Sequence, residues 1–313
     1  MASTSIFVKQ FWASKVQRRA FMMGMLFISP AIVGFLVFTL VPLIRSFYFS
    51  FTDYNILQPE TWVGLDNFAT LLKDEVFLIS LRNTLYMVLI GLPIHILFDI
   101  GVAFLLNVKV RGLSILRTIF YLPSITPVVA STVLWLLIFN GQIGLLNTLL
   151  HAFGIPAVGW LTNPAWIKPS FILMGLWGGG NTILIYLAAL QDVSVELLEA
   201  ADLDGAGTWA KTWNVTFPTI SPAIFYTLVL SLIGYFQIFA SAWVLTAGRE
   251  GAGAGGPGNS LMFYAMYLYQ NAFMFFKMGY ASAMAWILLL IVLIATFILF
   301  RTSGWVYYRG DQG

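Results

Sequence analysis

The stretch EAADLDGAGTWAKTWNVTFPTISP, residues 199–222, is a polar island between two long apolar runs. In and just before it, five carboxylates (Asp192, Glu196, Glu199, Asp202 and Asp204) accompany a single cation, Lys211. Its setting makes it informative. The chain of 313 residues is 59% hydrophobic and 9% charged, whereas an ordinary soluble domain is roughly 45–50% apolar and about 25% charged. A chain of this composition cannot cover itself with polar surface, so its main solvent must be lipid, and the island marks a place where it leaves the lipid.

Local chemistry predicts a short helix and a turn in the island. Ser194 is a capping residue type and Glu196 falls in the first turn, where negative charge is favoured. Val195, Leu197, Leu198 and Ala201 supply an apolar side, and Gly205 suits the positive φ of a helix end. A second helical piece, residues 208–215, is expected to stop ahead of Pro218. On charge alone, a solvated loop whose acids keep it out of the bilayer accounts for the segment equally well.

Working outward, a bilayer-crossing helix needs about 20 mostly apolar residues. Six stretches qualify, at 20–44, 81–106, 115–140, 167–190, 219–246 and 279–300. The expected fold is therefore all-α and polytopic, with a transmembrane domain over 20–306 between an N-terminal segment (1–19) and a tail (307–313). An even number of spans leaves both termini on one side. Lys9, Lys15, Arg18 and Arg19 precede the first span, Lys109, Arg111 and Arg117 fall in the second connection, and Arg301 and Arg309 follow the last. The excess of basic residues assigns these segments to the cytoplasm. The first span has no small-residue cleavage signature and is too long for a signal-peptide core, so it is expected to be retained. The connection at 45–80, net acidic and bearing Tyr48, Tyr54, Trp62 and Phe68, is expected to be external and ordered; the connection at 191–218, which contains the island, is then cytoplasmic.

Several chemistries find no support. Sixteen basic residues scattered over the loops form no stripe for nucleic acid. There is no cysteine, and His95 and His151 are too few and too far apart to suggest a metal site. No GxxxxGK[ST] phosphate loop occurs. Gly251, Gly253 and Gly256 make a formal GxGxxG, but no strand leads into it and Pro257 follows, so the βαβ context that gives the motif meaning is missing.

Glu199, Ala200 and Ala201, then Gly205 after three residues, then Val215 and Pro218, match the EAA signature of the membrane subunits of binding-protein-dependent ABC importers; only Val215 and Phe217 differ in type from the common Ile and Leu. The resemblance extends over most of the chain to the carbohydrate-uptake branch, the maltose-type and glycerol-phosphate-type permeases. It is carried by SFTDYN (50–55), VGLDNF (63–68), LRTIFYLPSITPVV (116–129), FNGQIGLLN (139–147), GPGNS (256–260) and FKMGYASAM (276–284). The glycine loop at 248–258 is longer than the family's usual short turn.

This resemblance implies a coupling helix that docks on an ATPase subunit. Glu199 would be the charged contact, Ala200 and Ala201 the small residues allowing close approach, and Gly205 the turn, with Asp204 and Pro218 alongside. It further implies a second homologous permease, two ATPase subunits carrying ATP and magnesium, an extracytoplasmic solute-binding protein, and a sugar or polyol as cargo. No cofactor and no catalytic residue is expected on this chain itself. Glycerol phosphate stays open as an alternative cargo. By alignment with maltose-type relatives, the substrate path falls near Met174, Gly178, Asn181, Ser231, Gly234, Tyr235 and Ile238, with Gln237 adjacent. For these residues bundle packing is the competing reading, as helix packing is for the GxxxG of Gly175 and Gly179. His95 and Asp99 share a helix face four residues apart; a structural pair is expected in preference to a proton relay, since an ATP-driven importer needs no proton coupling. The rival classes are a secondary transporter, which predicts functional intramembrane charges and repeat-related broken helices, and a membrane enzyme, which needs clustered acids, nucleophiles or metal ligands that do not appear.

Overall fold

The computed structural model describes residues 15–108, 110–246 and 255–307. Lys9, Lys109, Arg309, the paired glycines Gly251 and Gly253 and most of the long glycine loop lie outside the described residues. Apart from one two-stranded ribbon, the secondary structure is helical. Four continuous helices are long and apolar enough to cross a bilayer: Lys15–Phe49, Glu75–Leu106, Thr208–Phe236 and Met278–Arg301. Two bent pairs make up the remaining apolar stretches, so the six-span expectation holds if each pair counts as one crossing.

The first helix comprises α1 (Lys15–Phe35) and α2 (Val41–Phe49). None of the 21 residues of α1 is buried, and α2 reaches the last span, with the Phe47 ring edge-on to Trp286 at 4.8 Å. The connection that follows, expected to be ordered, is folded. Strands β1 (Thr52–Asp53) and β2 (Thr61–Trp62) pair antiparallel, and the short α3 (Asp66–Leu71) closes the segment.

The second span is α4 (Glu75–Tyr86) continuing into α5 (Leu92–Leu106). Between them, residues Met87–Gly91 adopt a wide π-type turn immediately ahead of Pro93. The same arrangement precedes Pro42 at Leu36–Leu40 and Pro218 at Thr212–Thr216. In each case the residue before the proline donates to the carbonyl five back: Val41 to Leu36, Leu92 to Met87, and Phe217 to Thr212. A proline brings no N–H and its ring collides with the carbonyl four residues earlier. Widening the helix by one residue relieves both problems without breaking it.

This corrects the expectation for Pro218. The helical piece α12 (Thr208–Lys211) does not stop ahead of the proline; it runs through the wide turn into α13 (Phe217–Phe236) as one helix. The predicted fifth span of 219–246 is in turn interrupted at Gln237, where the backbone leaves the helix before α14 (Ala240–Thr246).

The other two departures are also backbone effects. The stretch 115–140 is not one straight helix: Leu113–Ile125, which begins as α6 (Leu113–Tyr121), and α7 (Val128–Ile138) meet at 107°. Thr126 is extended (ψ 131°) because it precedes Pro127, and a residue before proline is pushed out of the helical region. A short helix, α8 (Leu145–Ala152), follows. The stretch 167–190 divides into α9 (Pro164–Leu176) and α10 (Gly180–Gln191), bent by 52° around Gly178 and Gly179.

The break lets α10 come close to two neighbours. A Cβ on Gly180 would lie 2.7 Å from the Phe120 carbonyl oxygen, and one on Gly179 would overlap the Asp99 carboxylate. The main core then forms between α5, α10 and α13, through Ile96, Ile100 and Ala103 on the first, Ile183, Tyr186 and Leu187 on the second, and Ile220, Leu232 and Phe236 on the third. A second core, including Trp135, Phe139, Phe171, Met174, Leu245 and Phe263, lies on the other side of the break.

At its N-terminal end, the last span, α16 (Met278–Arg301), is locked to α4. Asp74 caps α4, accepting from the Val76 and Phe77 amides at 2.9 and 3.2 Å. Its other oxygen accepts from the hydroxyls of Tyr267, on α15 (Tyr264–Tyr269), and Tyr280, both at 2.5 Å. Burial raises the pKa of Asp74, but the bonds from Tyr267, Tyr280, Phe77 and Val76 outweigh it and hold the carboxyl below the usual carboxylate value.

Candidate functional site

Two regions stand apart from the packed core, and the island supplies the first. Helix α11 (Val195–Leu203) begins after Ser194, whose hydroxyl bonds the Glu196 carboxylate at 3.3 Å instead of capping the backbone. Its far end is a Schellman turn: Ala206 N–H donates to Ala201, Gly205 N–H to Asp202, and Gly205 takes φ +76°. The positive φ that the sequence predicts for Gly205 is present, and it turns the chain directly into α12. Lys211 reaches back to Asp202 at 2.6 Å, so that acid ties the two helices together. Among the described residues Glu199 and Asp204 have no such partner, and both are exposed along with Ala200 and Gly205, while Ala201 and Pro218 are half-buried.

Large apolar side chains sit uncovered beside these acids. Leu203 is 91% exposed, Trp209 78% and Trp213 59%, and the two tryptophan rings are stacked at 6.0 Å. Sequence reasoning missed this trio. Its signal was present: Trp209 and Trp213 are four apart on a helical segment and so share one face, where Trp213 also meets the Phe217 ring edge-on at 5.1 Å. The arrangement is an ordered, two-helix element that presents an acid and a greasy face side by side, a composition fitted to a partner surface rather than to water.

The second region is a pocket of about 220 Å³ within the bundle. Of the residues aligned with a substrate path, Met174, Gly178, Tyr235 and Ile238 line it. Asn181, Gly234 and Gln237 are exposed elsewhere, and Ser231, half-buried, lies off it as well. The pocket also draws on residues the sequence did not single out: Ser131 and Thr132 from α7, Ser241 from α14, Phe171 and Ile172 from α9, and Met87 from the wide turn. These come together only because α7 is swung through its sharp bend and α14 is displaced after Gln237. Gly175 lines the pocket with open space around its Cα, so within the GxxxG pair close packing belongs to Gly179 alone.

His95 is the polar centre of this pocket. Its Nε2 lies 3.2 Å from Asp99 Oδ2, as the four-residue spacing predicts, but its Nδ1 is 3.0 Å from the Tyr235 hydroxyl. The pair is therefore a chain of three groups on α5 and α13 that ends at the cavity wall. Among the described residues no cluster of three metal-ligating side chains occurs.

A larger cavity of about 380 Å³ beside the first turns of α4 and α16 is lined by residues that carry polar side-chain groups. Much of that polarity is committed internally: Asp74 to its cap and two tyrosines, Asn67 to the Ser50 and Thr52 carbonyls, and Asn271 to the Tyr267 carbonyl.

Residues 96–306 match the family described as binding-protein-dependent transport system inner membrane component. The chain is 40% identical over 303 residues to the probable ABC transporter permease protein YesP of Bacillus subtilis, covering 96% of both chains. It is 33% identical over 286 residues to the lactose transport system permease protein LacF of Rhizobium radiobacter, covering 90% of this chain and 93% of that one. Against the arabinooligosaccharides transport system permease protein AraP of Bacillus subtilis the identity is 34% over 283 residues, covering 89% and 88%. Among solved structures, a chain of a bacterial ABC transporter involved in the import of the acidic polysaccharide alginate superposes with a TM-score of 0.81 at 26% identity, covering 94% of this chain and 98% of that chain. The protein therefore belongs to the family of binding-protein-dependent inner membrane components: it is a membrane-embedded ABC transporter permease, a transport subunit and not an enzyme.

Proposed function

We propose that this permease forms one half of the path of an ATP-driven importer for a sugar or related polyol in the cytoplasmic membrane, with both termini in the cytoplasm. A homologous second permease completes the path. Two ATPase subunits carry the ATP and magnesium, so the chain needs no cofactor of its own, and an extracytoplasmic binding protein delivers the cargo. The named relatives that handle lactose and arabinooligosaccharides support a carbohydrate cargo for this chain too.

The observation that carries the reading is the uncovered element at residues 195–213. Glu199 is exposed beside Leu203, Trp209 and Trp213 on a helix ended by a Schellman turn, so its shape is set before any partner arrives. An ATPase cleft that covers the apolar residues and pairs Glu199 with a basic group would use every feature of it. Closing the ATPase dimer on ATP moves two such elements together and turns the path outward; hydrolysis and release return it inward. Breaking a mostly buried charge pair from one side costs on the order of 3–5 kcal/mol, so Glu199→Ala is expected to uncouple transport from hydrolysis.

The test is co-purification with an ATPase, followed by ATP hydrolysis in liposomes that depends on the binding protein and its ligand. Absence of a bound ATPase overturns the proposal. The cargo itself is read from the binding protein, by a melting-temperature screen of neutral sugars, polyols and glycerol phosphate.

A further inference from the structure

We propose that Asp99, His95 and Tyr235 form a chain of ordered protons that leaves the Tyr235 oxygen as a hydrogen-bond acceptor facing the pocket, so that the site selects uncharged saccharide hydroxyls and rejects carboxylated sugars. This rests on the pocket being the sugar path of the proposed function.

The order of protons follows from the geometry. Asp99 is wholly buried and lies against Gly179, immediately ahead of the N-terminus of the 12-residue helix α10. The positive end of that helix favours a carboxylate there, and a carboxylate only accepts. His95 Nε2, 3.2 Å from Oδ2, therefore carries a proton. In the neutral ring Nδ1 then holds a lone pair, and the Tyr235 hydroxyl at 3.0 Å donates to it. An imidazolium would instead turn the tyrosyl proton away, with the Gly91 carbonyl at 3.5 Å as its nearest protein acceptor. A neutral ring protonated at Nε2 turns its proton to Asp99 and leaves Nδ1 to Tyr235.

Once its proton is committed, the Tyr235 oxygen has only acceptor capacity left. A sugar hydroxyl can donate to it; a carboxylate or phosphate oxygen would meet it acceptor to acceptor. No lysine or arginine lines the pocket to offset such a charge, and Ser131, Thr132 and Ser241 supply only neutral groups. His95 and Asp99 act through Tyr235 and are positioning residues. Gly179 belongs to the same device, because only a residue without a Cβ lets Asp99 lie at the helix break.

The chain contains only two histidines, so His151→Gln leaves His95 as the sole ring to observe. With ring-15N histidine in the full-length chain in lipid nanodiscs, the expected spectrum is one protonated nitrogen, Nε2, and one bare nitrogen, Nδ1. Tyr235→Phe should move the Nδ1 signal, and Asp99→Asn should yield a mixture of tautomers. A protonated Nδ1, in a neutral or a charged ring, overturns the ordering, as does an Nδ1 signal indifferent to Tyr235→Phe.

The ligand preference is tested on the same sample with galactose and galacturonate, which differ only at C6. Galactose is expected to shift the Nδ1 signal and galacturonate at equal concentration to leave it unmoved. An equal or larger response to galacturonate overturns the preference. Silence toward both sugars overturns the sugar-path reading, and with it the preference, whereas the proton order is decided without any sugar present.

Discussion

At the scale of single residues, His95 shows how much a spacing rule leaves out. Four-residue spacing on a helix predicts contact with Asp99, and the contact exists, but the second ring nitrogen is spoken for by Tyr235, 140 positions away. Groups joined in this way act as a unit, so their substitutions should not add. In reconstituted transport, His95→Ala and Tyr235→Phe are each expected to raise KM for the transported sugar, and the double variant to be no worse than the more affected single; simple additivity in a three-way comparison of KM values counts against the chain. Gly179→Ala tests the support beneath it. The added Cβ must displace a buried carboxylate or widen the helix break, so a loss of transport and a lower thermal midpoint are expected, where an exposed glycine such as Gly234, with open space around its Cα, tolerates alanine.

At the scale of elements, the island and the Asp74 tie are both built on caps. Gly205 sits at φ +76° and closes the Schellman turn that ends α11; a side chain there costs roughly 1–2 kcal/mol by the left-handed penalty. Gly205→Asp is expected to leave the protein in the membrane but separate ATP hydrolysis from uptake, measured as hydrolysis that no longer responds to loaded binding protein. The Asp74 tie makes a prediction in pH. Its carboxyl titrates below 3.8 when folded, because four hydrogen bonds outweigh burial. A depressed folded value means that its stabilisation is complete above the unfolded value and is lost as pH falls through the lowered folded one. Thermal midpoints of the wild type should therefore drop on acidification below about pH 4, and Asp74→Asn should start lower and show a smaller drop over the same range. Its neighbour Gly279 has no room for a side chain against the Thr52 carbonyl, so Gly279→Ala is expected to unseat the β1–β2 ribbon from α16, seen as faster proteolysis within residues 50–65.

At the scale of the whole molecule, the exposed apolar surface is of two kinds. The faces of α1 and of the spans are uncovered because lipid or a neighbouring subunit is their solvent. The faces of Leu203, Trp209 and Trp213 project from the polar island, the two tryptophans on the first turns of the apolar helix Thr208–Phe236. A docked ATPase, as proposed above, would cover the second kind. Quenching of tryptophan fluorescence by acrylamide should accordingly fall when the ATPase binds, and Trp209→Tyr with Trp213→Tyr should remove most of that change; an unchanged quenching profile would mean that the partner docks elsewhere.

What the sequence determined by itself was set by composition and local chemistry. Apolar runs of bilayer length, a missing phosphate loop, and the spacing of Glu199, Gly205 and Pro218 are properties of residues near one another in the chain, and they sufficed for the helical membrane class, the family and the turn at Gly205. They also held the signal for the break at Gly178–Gly180, in three consecutive glycines. Only the tertiary structure decided where helices bend and what the bends bring together. Pro127 and Pro218 are the same residue type, yet one follows a 107° bend while the other is absorbed by a wide turn in an unbroken helix, because the cost of a missing N–H depends on whether neighbouring turns are free to widen. The pocket exists because of such differences. Its polar centre joins α5 to α13 and its walls come from two displaced helices, and contacts between residues this far apart in the chain leave no periodicity for a sequence to display.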